Sequence, residues 1–190
     1  MWLERFGVTR RAAIAAASFV VLTAPGADAA PVPLSSVSVA PVPSSPAEGT
    51  WRTSNGTEVT IAPCDQGLCG TLSWIVIPKA NAEQCRTTDK QSFASLILDY
   101  NNPDKSLQTR SLLGMTMLTL KPTGDPNSFN VRVYNPEDGS TNDAQLFILN
   151  NGNTLRIGGG CLGNICVKSE DWPRVAPRPT APDFTCEGGQ

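Results

Sequence analysis

Hydrophobic and polar residues alternate in short runs from residue 48 onward, and turn-forming residues separate these runs. Such alternation puts every second side chain of a strand into a core and the others into solvent. The pattern predicts eight strands, at residues 50–54, 57–63, 70–77, 113–121, 129–134, 141–150, 154–160 and 166–175. No stretch has the spacing of a long helix, so we predict an all-β fold.

Short turns join most consecutive strands, which makes each strand antiparallel to the next. Asn55-Gly56 is typical of a hairpin turn, because both residue types tolerate positive φ. Eight such strands can close into an up-and-down barrel without a free edge, and its interior is either filled by side chains or holds one small ligand. One long loop interrupts the series at residues 78–112, and a short helix is predicted within it at residues 91–98.

The first 29 residues are typical of a cleaved export signal. Three arginines precede an apolar run at residues 12–24, and small residues precede a cleavage site near Ala29. A membrane anchor is the alternative, but thirteen apolar residues are fewer than the roughly 20 that span a bilayer. We therefore expect a periplasmic or secreted protein with no transmembrane segment after cleavage, exported by either a twin-arginine or an ordinary secretory route.

Composition divides the rest of the chain into three parts. Residues 30–47 are rich in Pro and Ser, which favours an extended, disordered linker over a packed element. A spacer that holds the domain away from a surface is the functional alternative. Residues 48–175 form the predicted barrel domain, and residues 176–190 form a C-terminal tail.

The composition excludes several chemistries. The 190 residues include no His, so Ser-His-Asp, Cys-His and His-metal sites are excluded. The net charge is −2, and basic residues form no cluster, which argues against nucleic acid as a partner. We assign no catalytic residue, no metal and no cofactor, and we expect a protein that is not an enzyme. The oligomeric state is not specified by the sequence.

Four of the 6 cysteines form two similar pairs, Cys64 with Cys69 and Cys161 with Cys166. In an exported protein six cysteines indicate three disulfides, for which spacing alone allows fifteen connectivities. We predict local bonds within each pair, because a four-residue hairpin loop brings its flanking residues opposite each other. A zinc site built from both pairs is the rival hypothesis, but zinc cysteines are usually spaced more closely.

The other two cysteines lie in less regular parts of the sequence. Cys85 is in the long loop and Cys186 is in the tail. A bond between them would tie the tail over the loop, and an intermolecular or regulatory thiol is the alternative.

Ordered motifs make residues 49–175 similar to a bacterial family known as domain of unknown function 2147. They include Gly49-Thr50-Trp51, Cys64 to Gly70, Asn101-Asn102-Pro103-Asp104, Tyr134-Asn135-Pro136-Glu137-Asp138-Gly139, Gly160-Cys161 and Trp172-Pro173-Arg174-Val175. The resemblance implies an envelope protein with a lipocalin-like barrel and no established activity. The chain departs from the family pattern at Ser111, at Asn142 and in the longer loop with Cys85, so a family ligand would be bound differently here.

Gly49-Thr50-Trp51 is also similar to the first-strand Gly-x-Trp of lipocalins. There the tryptophan closes the base of the barrel, and an arginine from the far end of the chain lies across it. Arg174 matches that arginine. An indole face attracts a guanidinium, whose donors satisfy carbonyls at the seam between the first and last strands. The expected role of Trp51 and Arg174 is therefore barrel closure.

Apolar residues of the predicted strands suggest a binding interior. They include Leu72, Trp74, Met115, Met117, Val131, Val133, Leu146 and Ile148. With the long loop as a lid, they would bind a small apolar ligand or lipid. The same side chains would instead fill the barrel of a structural or interaction module that contacts an envelope component.

Two acidic turns are further candidates for binding. Their residues are Asp99, Asn101, Asp104, Glu137 and Asp138. Hard oxygen ligands suit calcium, but neither spacing matches a calcium loop, and turns in which Asx side chains bond their own backbone explain the same residues. Paired carboxylates also suggest a hydrolase, although neighbouring carboxylates in a turn are usually solvated and separate.

Overall fold

The computed structural model describes residues 45–77, 83 and 97–185. The eight strands in these residues are β1 Gly49–Arg52, β2 Glu58–Cys64, β3 Gly67–Trp74, β4 Thr116–Pro122, β5 Ser128–Asn135, β6 Ser140–Leu149, β7 Thr154–Leu162 and β8 Ile165–Val175. Each pairs antiparallel with the next, and β8 pairs with β1, which closes the barrel. The predicted eight-stranded up-and-down barrel is therefore confirmed, with strand ends shifted by up to three residues.

Several sequence predictions lie outside the described residues. They concern the export signal, most of the linker, Cys85, Cys186 and all but the last two residues of the predicted helix at 91–98. The described part of the long connection between β3 and β4 contains a 3-10 turn at Lys105–Leu107. Among the described residues, no helix has the length and apolarity needed to cross a membrane.

Side chains fill the barrel interior. Every second residue of a strand points inward, and the buried cluster includes Trp51, Val59, Leu118, Leu146 and Leu155, all 0% exposed. Each fully buried large side chain contributes about 1.5–3 kcal/mol of transfer free energy. The barrel is thus a packed core rather than a hollow container.

The two ends of the barrel carry different connections. The closed end, as we name it, carries the β2–β3, β4–β5 and β6–β7 turns together with residues 45–48 and the end of β8. The open end carries the β1–β2, β5–β6 and β7–β8 turns and, from the long connection between β3 and β4, the described residues 75–77 and 97–115.

The β7–β8 hairpin separates from its neighbouring strands at the open end. The last β6–β7 pair is Gln145 with Gly158, and β1 pairs with β8 only at Arg174 and Val175. Residues 159–168 therefore have ladder partners only among themselves.

Candidate functional site

Trp51 and Arg174 meet at the closed end. The guanidinium carbon of Arg174 lies 4.0 Å from the centroid of the Trp51 ring, and Trp51 Nε1 donates a hydrogen bond of 2.9 Å to the Ala47 carbonyl. Gly49 has φ +130°, and a Cβ there would lie 2.2 Å from an Arg174 guanidinium nitrogen. Glycine at this position is what lets the arginine approach the ring.

Arg174 also donates to three main-chain carbonyls. Its partners are Gly152 at 2.5 Å, Glu48 at 2.5 Å and Pro46 at 2.7 Å. Burial lowers the pKa of the guanidinium from its ordinary value. The side chain thus links three separate segments across the seam, and its role in barrel closure stays a prediction.

The structure places Trp74 outside the barrel core, although we predicted that it lines the barrel interior together with Leu72. In the β2–β3 register Leu72 opposes Val59, but Trp74 opposes the adjacent residue Glu58, because a bulge adds one residue to β3. Adjacent residues of a strand point to opposite faces. Trp74 is buried, at 4% exposure, but does not belong to the core cluster.

Arg178 covers Trp74 on that outer face. Its guanidinium carbon lies 4.1 Å from the ring centroid, and its Nε donates 3.0 Å to Glu58, whose carboxylate also accepts from Arg52 at 2.9 Å. Glu58 is 1% exposed. Sequence reasoning missed this cluster, since Glu58 and Arg178 are 120 residues apart and no local pattern joins them.

An apolar pocket of about 300 Å³ lies at the open end. Its lining comprises Thr53, Asn55, Thr57, Leu72, Ile75, Val76, Leu112, Met117, Pro136 and Glu137. Leu72 belongs to the core cluster, and Met117 packs against it, so these two side chains form the base. Of the predicted binding residues, Leu72, Met117 and Glu137 line this pocket, while Met115 is buried within the core cluster.

A larger depression of about 430 Å³ lies on the outer face of β4–β6. Lys121, Arg132 and Asp143 line it, and Arg132 pairs with Asp143 at 3.7 Å. An apolar ligand would have to desolvate these charges, which is costly. The pocket at the open end is therefore the better candidate for an apolar ligand.

Asp99 is the centre of a polar cluster that secures the long connection. Its carboxylate is 0% exposed and accepts from Tyr134 Oη at 2.6 Å, Asn102 Nδ2 at 2.7 Å and Arg110 Nε at 2.9 Å. Burial alone would raise the pKa of the Asp99 carboxyl, but these hydrogen bonds outweigh burial and hold the pKa below its ordinary value. The carboxylate is saturated with donors, as a structural anion is.

The two acidic turns that we predicted separately are in contact. Asn101 Nδ2 donates to the carbonyls of Glu137 at 2.8 Å and Pro136 at 3.2 Å. Gly139 has φ +73°, and a Cβ there would lie 1.9 Å from the Asn101 carbonyl oxygen. The glycine allows the connection to rest on the β5–β6 turn.

The remaining carboxylates cap their own turns. Asp104 accepts from Ser106 N at 2.9 Å, and Asp138 accepts from Ser140 N at 2.9 Å. Hydrogen bonds from Ser106 and Ser140 lower the pKa values of Asp104 and Asp138 respectively. Asp99 and Asp104 thus have separate partners, and no group of three or more His, Cys, Asp or Glu in the described part of the chain is arranged to hold a metal ion.

Disulfides link Cys64 to Cys69 and Cys161 to Cys166. Both bonds follow the local pairing that the hairpin spacing predicts. The first crosses the β2–β3 turn at the closed end, and the second crosses the β7–β8 hairpin at the open end. Bonds of this kind are typical of proteins outside the reducing cytoplasm.

Comparisons with known proteins identify the family of this chain. A family model described as an uncharacterized protein conserved in bacteria, DUF2147, matches residues 49–174. Protein HP1028 from the human pathogen Helicobacter pylori, which belongs to the lipocalin family, is a similar solved structure, with 19% identity and a TM-score of 0.49 over 68% of this chain and 83% of that chain. No curated protein matches the sequence. The match over most of the barrel shows that this chain belongs to the bacterial DUF2147 family.

Proposed function

We propose that this protein binds a small apolar ligand, or the end of a lipid acyl chain, in the pocket at the open end of its barrel. The observation that carries this proposal is the lining of the pocket by Leu72, Ile75, Val76, Leu112 and Met117. Its volume of about 300 Å³ is at the lower limit of small-molecule pockets, which span about 300–1,000 Å³.

The filled core limits where a ligand can bind. Trp51, Leu118 and Leu155 leave no exposed surface inside the wall, so a ligand would rest at the end of the barrel rather than enter it. Polar groups at the rim, from Thr53, Thr57 and Glu137, would contact the solvent-facing part of such a ligand. Binding is expected to be weak, because only part of the ligand surface leaves water.

The proposal also includes the compartment in which the protein acts. We infer that the protein acts in the periplasm or is secreted, a location supported by its two local disulfides and by the export signal that the first 29 residues suggest. We also infer that it is not an enzyme, since Asp99, Asp104 and Asp138 are each occupied by separate hydrogen bonds.

Binding of the apolar fluorophore 1-N-phenylnaphthylamine tests the pocket. We expect its emission to rise with the natural chain and Val76→Phe, which fills the pocket, to weaken binding about tenfold or more. Leu68→Phe is the matched control, because Leu68 lines a depression of about 310 Å³ at the closed end. Equal affinity of the natural chain and Val76→Phe would refute the pocket.

A structural or interaction module is the second candidate, and the packed core favours it. Mass spectrometry of the protein purified under native conditions separates the two functions. A recurrent bound lipid or metabolite that Val76→Phe loses supports ligand binding. An empty protein that also fails to bind the fluorophore supports the module.

A further inference from the structure

The tip of the β7–β8 hairpin has a cluster of exposed apolar side chains. Leu162, Ile165 and Val167 are 88%, 75% and 88% exposed. The other exposed large hydrophobic residues of the described chain are Tyr100 at 51% and Leu107 at 37%. Single exposed apolar residues are normal on protein surfaces, but several together on one hairpin tip indicate a contact surface.

The hairpin tip separates from the neighbouring strands and folds back toward β7. Residues 159–168 have no ladder partner in β6 or β1, and Arg156 Nη1 donates a hydrogen bond of 3.2 Å to the Asn164 carbonyl at the tip. The Cys161–Cys166 disulfide joins its two strands, and Gly160 and Gly163 adopt positive φ of 63° and 59°. The disulfide and the Arg156 hydrogen bond therefore fix the shape of the tip.

The charge of the tip differs from that of the whole chain. Residues 157–169 contain Lys168 as their one charged residue, whereas the protein has 17 acidic and 15 basic residues. The next charges along the hairpin, Arg156 and Asp171, neutralise each other through two hydrogen bonds of 2.7 Å. The tip thus combines three apolar side chains with a single exposed cation.

We propose that this tip inserts into the surface of a lipid bilayer that carries anionic headgroups. A bilayer accepts a small apolar surface without a complementary shape, and Lys168, which is exposed beside Val167, would meet the phosphates. A second copy of the chain is a poorer occupant, because three side chains cover only a small part of the roughly 800 Å² per partner in a stable dimer. The contact is shallow and reversible, and it does not depend on the pocket at the open end.

Sedimentation with vesicles tests the insertion. We expect the natural chain to bind vesicles of three parts phosphatidylethanolamine to one part phosphatidylglycerol. A triple variant, Leu162→Ser, Ile165→Ser and Val167→Ser, is expected to bind at least about tenfold more weakly. Leu107→Ser is the matched control and is expected to bind like the natural chain. Both variants keep the N-terminal apolar run, so that run cannot account for a difference between them.

Reversing the charge of Lys168 supplies a second comparison. Lys168→Glu is expected to weaken binding to the anionic vesicles more than to neutral phosphatidylcholine vesicles, because it reverses the charge beside the headgroups. No sedimentation of the natural chain, or equal sedimentation of the triple variant, overturns the proposal.

An Ile165→Trp reporter locates the contact. Trp51, Trp74 and Trp172 are at most 4% exposed, so a tryptophan at the tip is the most exposed indole in the described chain. We expect its emission, after subtraction of the natural chain's spectrum, to shift to shorter wavelength on vesicles and to be quenched by brominated lipid. A shift that appears instead with rising protein concentration and without lipid identifies a second copy as the occupant and overturns the proposal.

Discussion

The two ends of the barrel use polar groups in opposite ways. At the closed end, Arg174 donates to the carbonyls of Pro46, Glu48 and Gly152 and stacks on Trp51. One half-buried cation thereby joins the first strand, the last strand and the β6–β7 turn. All three of these carbonyl acceptors belong to the protein's own backbone.

At the open end, polar groups fasten a loop beside apolar surface. Asp99 and Asn101 attach the long connection to Tyr134 and to the β5–β6 turn. Leu112, which follows this anchored part, lines the apolar pocket, and the hairpin tip at the same end exposes Leu162. The strands and their core support both ends equally. Because the open end combines a fastened loop with apolar surface, we expect any ligand or partner there.

Removing the tryptophan of the closed end is expected to have the largest effect. Trp51→Ala should lower the free energy of unfolding by about 3–5 kcal/mol, because it empties a fully buried site and removes the ring under Arg174. Denaturant unfolding followed by circular dichroism measures this loss.

Trp74→Ala is the matched control for Trp51→Ala. Trp74 is also buried, but it packs between β3 and Arg178 outside the core cluster. We expect a loss of about 2 kcal/mol, near the lower limit for large-to-small substitutions. Equal losses for the two tryptophans would contradict a special role for the closed end.

Neutralising Asp99 is expected to have the next largest effect. Asp99→Asn should cost about 2 kcal/mol, because Arg110 loses its charged partner, although that side chain is 37% exposed and partly solvated. Hydrogen exchange should accelerate mainly at residues 97–112. Asp143→Asn is the control, since Asp143 is 85% exposed, and it is expected to change stability little.

The Asp99 effect should also depend on pH in a defined direction. The folded state lowers the pKa of this carboxyl, whereas an unfolded aspartate titrates near pH 3.9. The stabilisation is therefore complete above about pH 4 and is lost as pH falls through the folded-state pKa. The stability difference between the natural chain and Asp99→Asn should shrink only in this acidic range, and a difference that is constant down to pH 2 would exclude the mechanism.

Local sequence patterns predicted the fold but not the contacts between residues that are far apart in the sequence. Alternating apolar residues and turn signals located all eight strands, and hairpin spacing predicted both described disulfides. The face of Trp74 was predicted wrongly, because periodicity does not reveal the bulge beside Glu58. The contacts of Asp99 with Tyr134 and of Glu58 with Arg178 join residues 35 and 120 positions apart, so they required the fold.

The two disulfides offer the finest comparison of the ends. Each closes a loop with a sequence separation of 5, so the chain-entropy model gives both the same value of about 2 kcal/mol. Their settings differ. Cys69 lies in a strand that pairs with both β2 and β4, whereas Cys161 and Cys166 lie in the part of the β7–β8 hairpin that pairs with neither β6 nor β1.

Replacing each pair by serine should therefore give unequal results. The double variant Cys64→Ser with Cys69→Ser is expected to lose about 2 kcal/mol in global unfolding. The double variant Cys161→Ser with Cys166→Ser should lose less than about 1 kcal/mol, because the hairpin tip can open while the barrel stays folded. Amide exchange should accelerate at residues 159–169 in the second variant alone. Equal global losses would show that the hairpin tip unfolds together with the barrel.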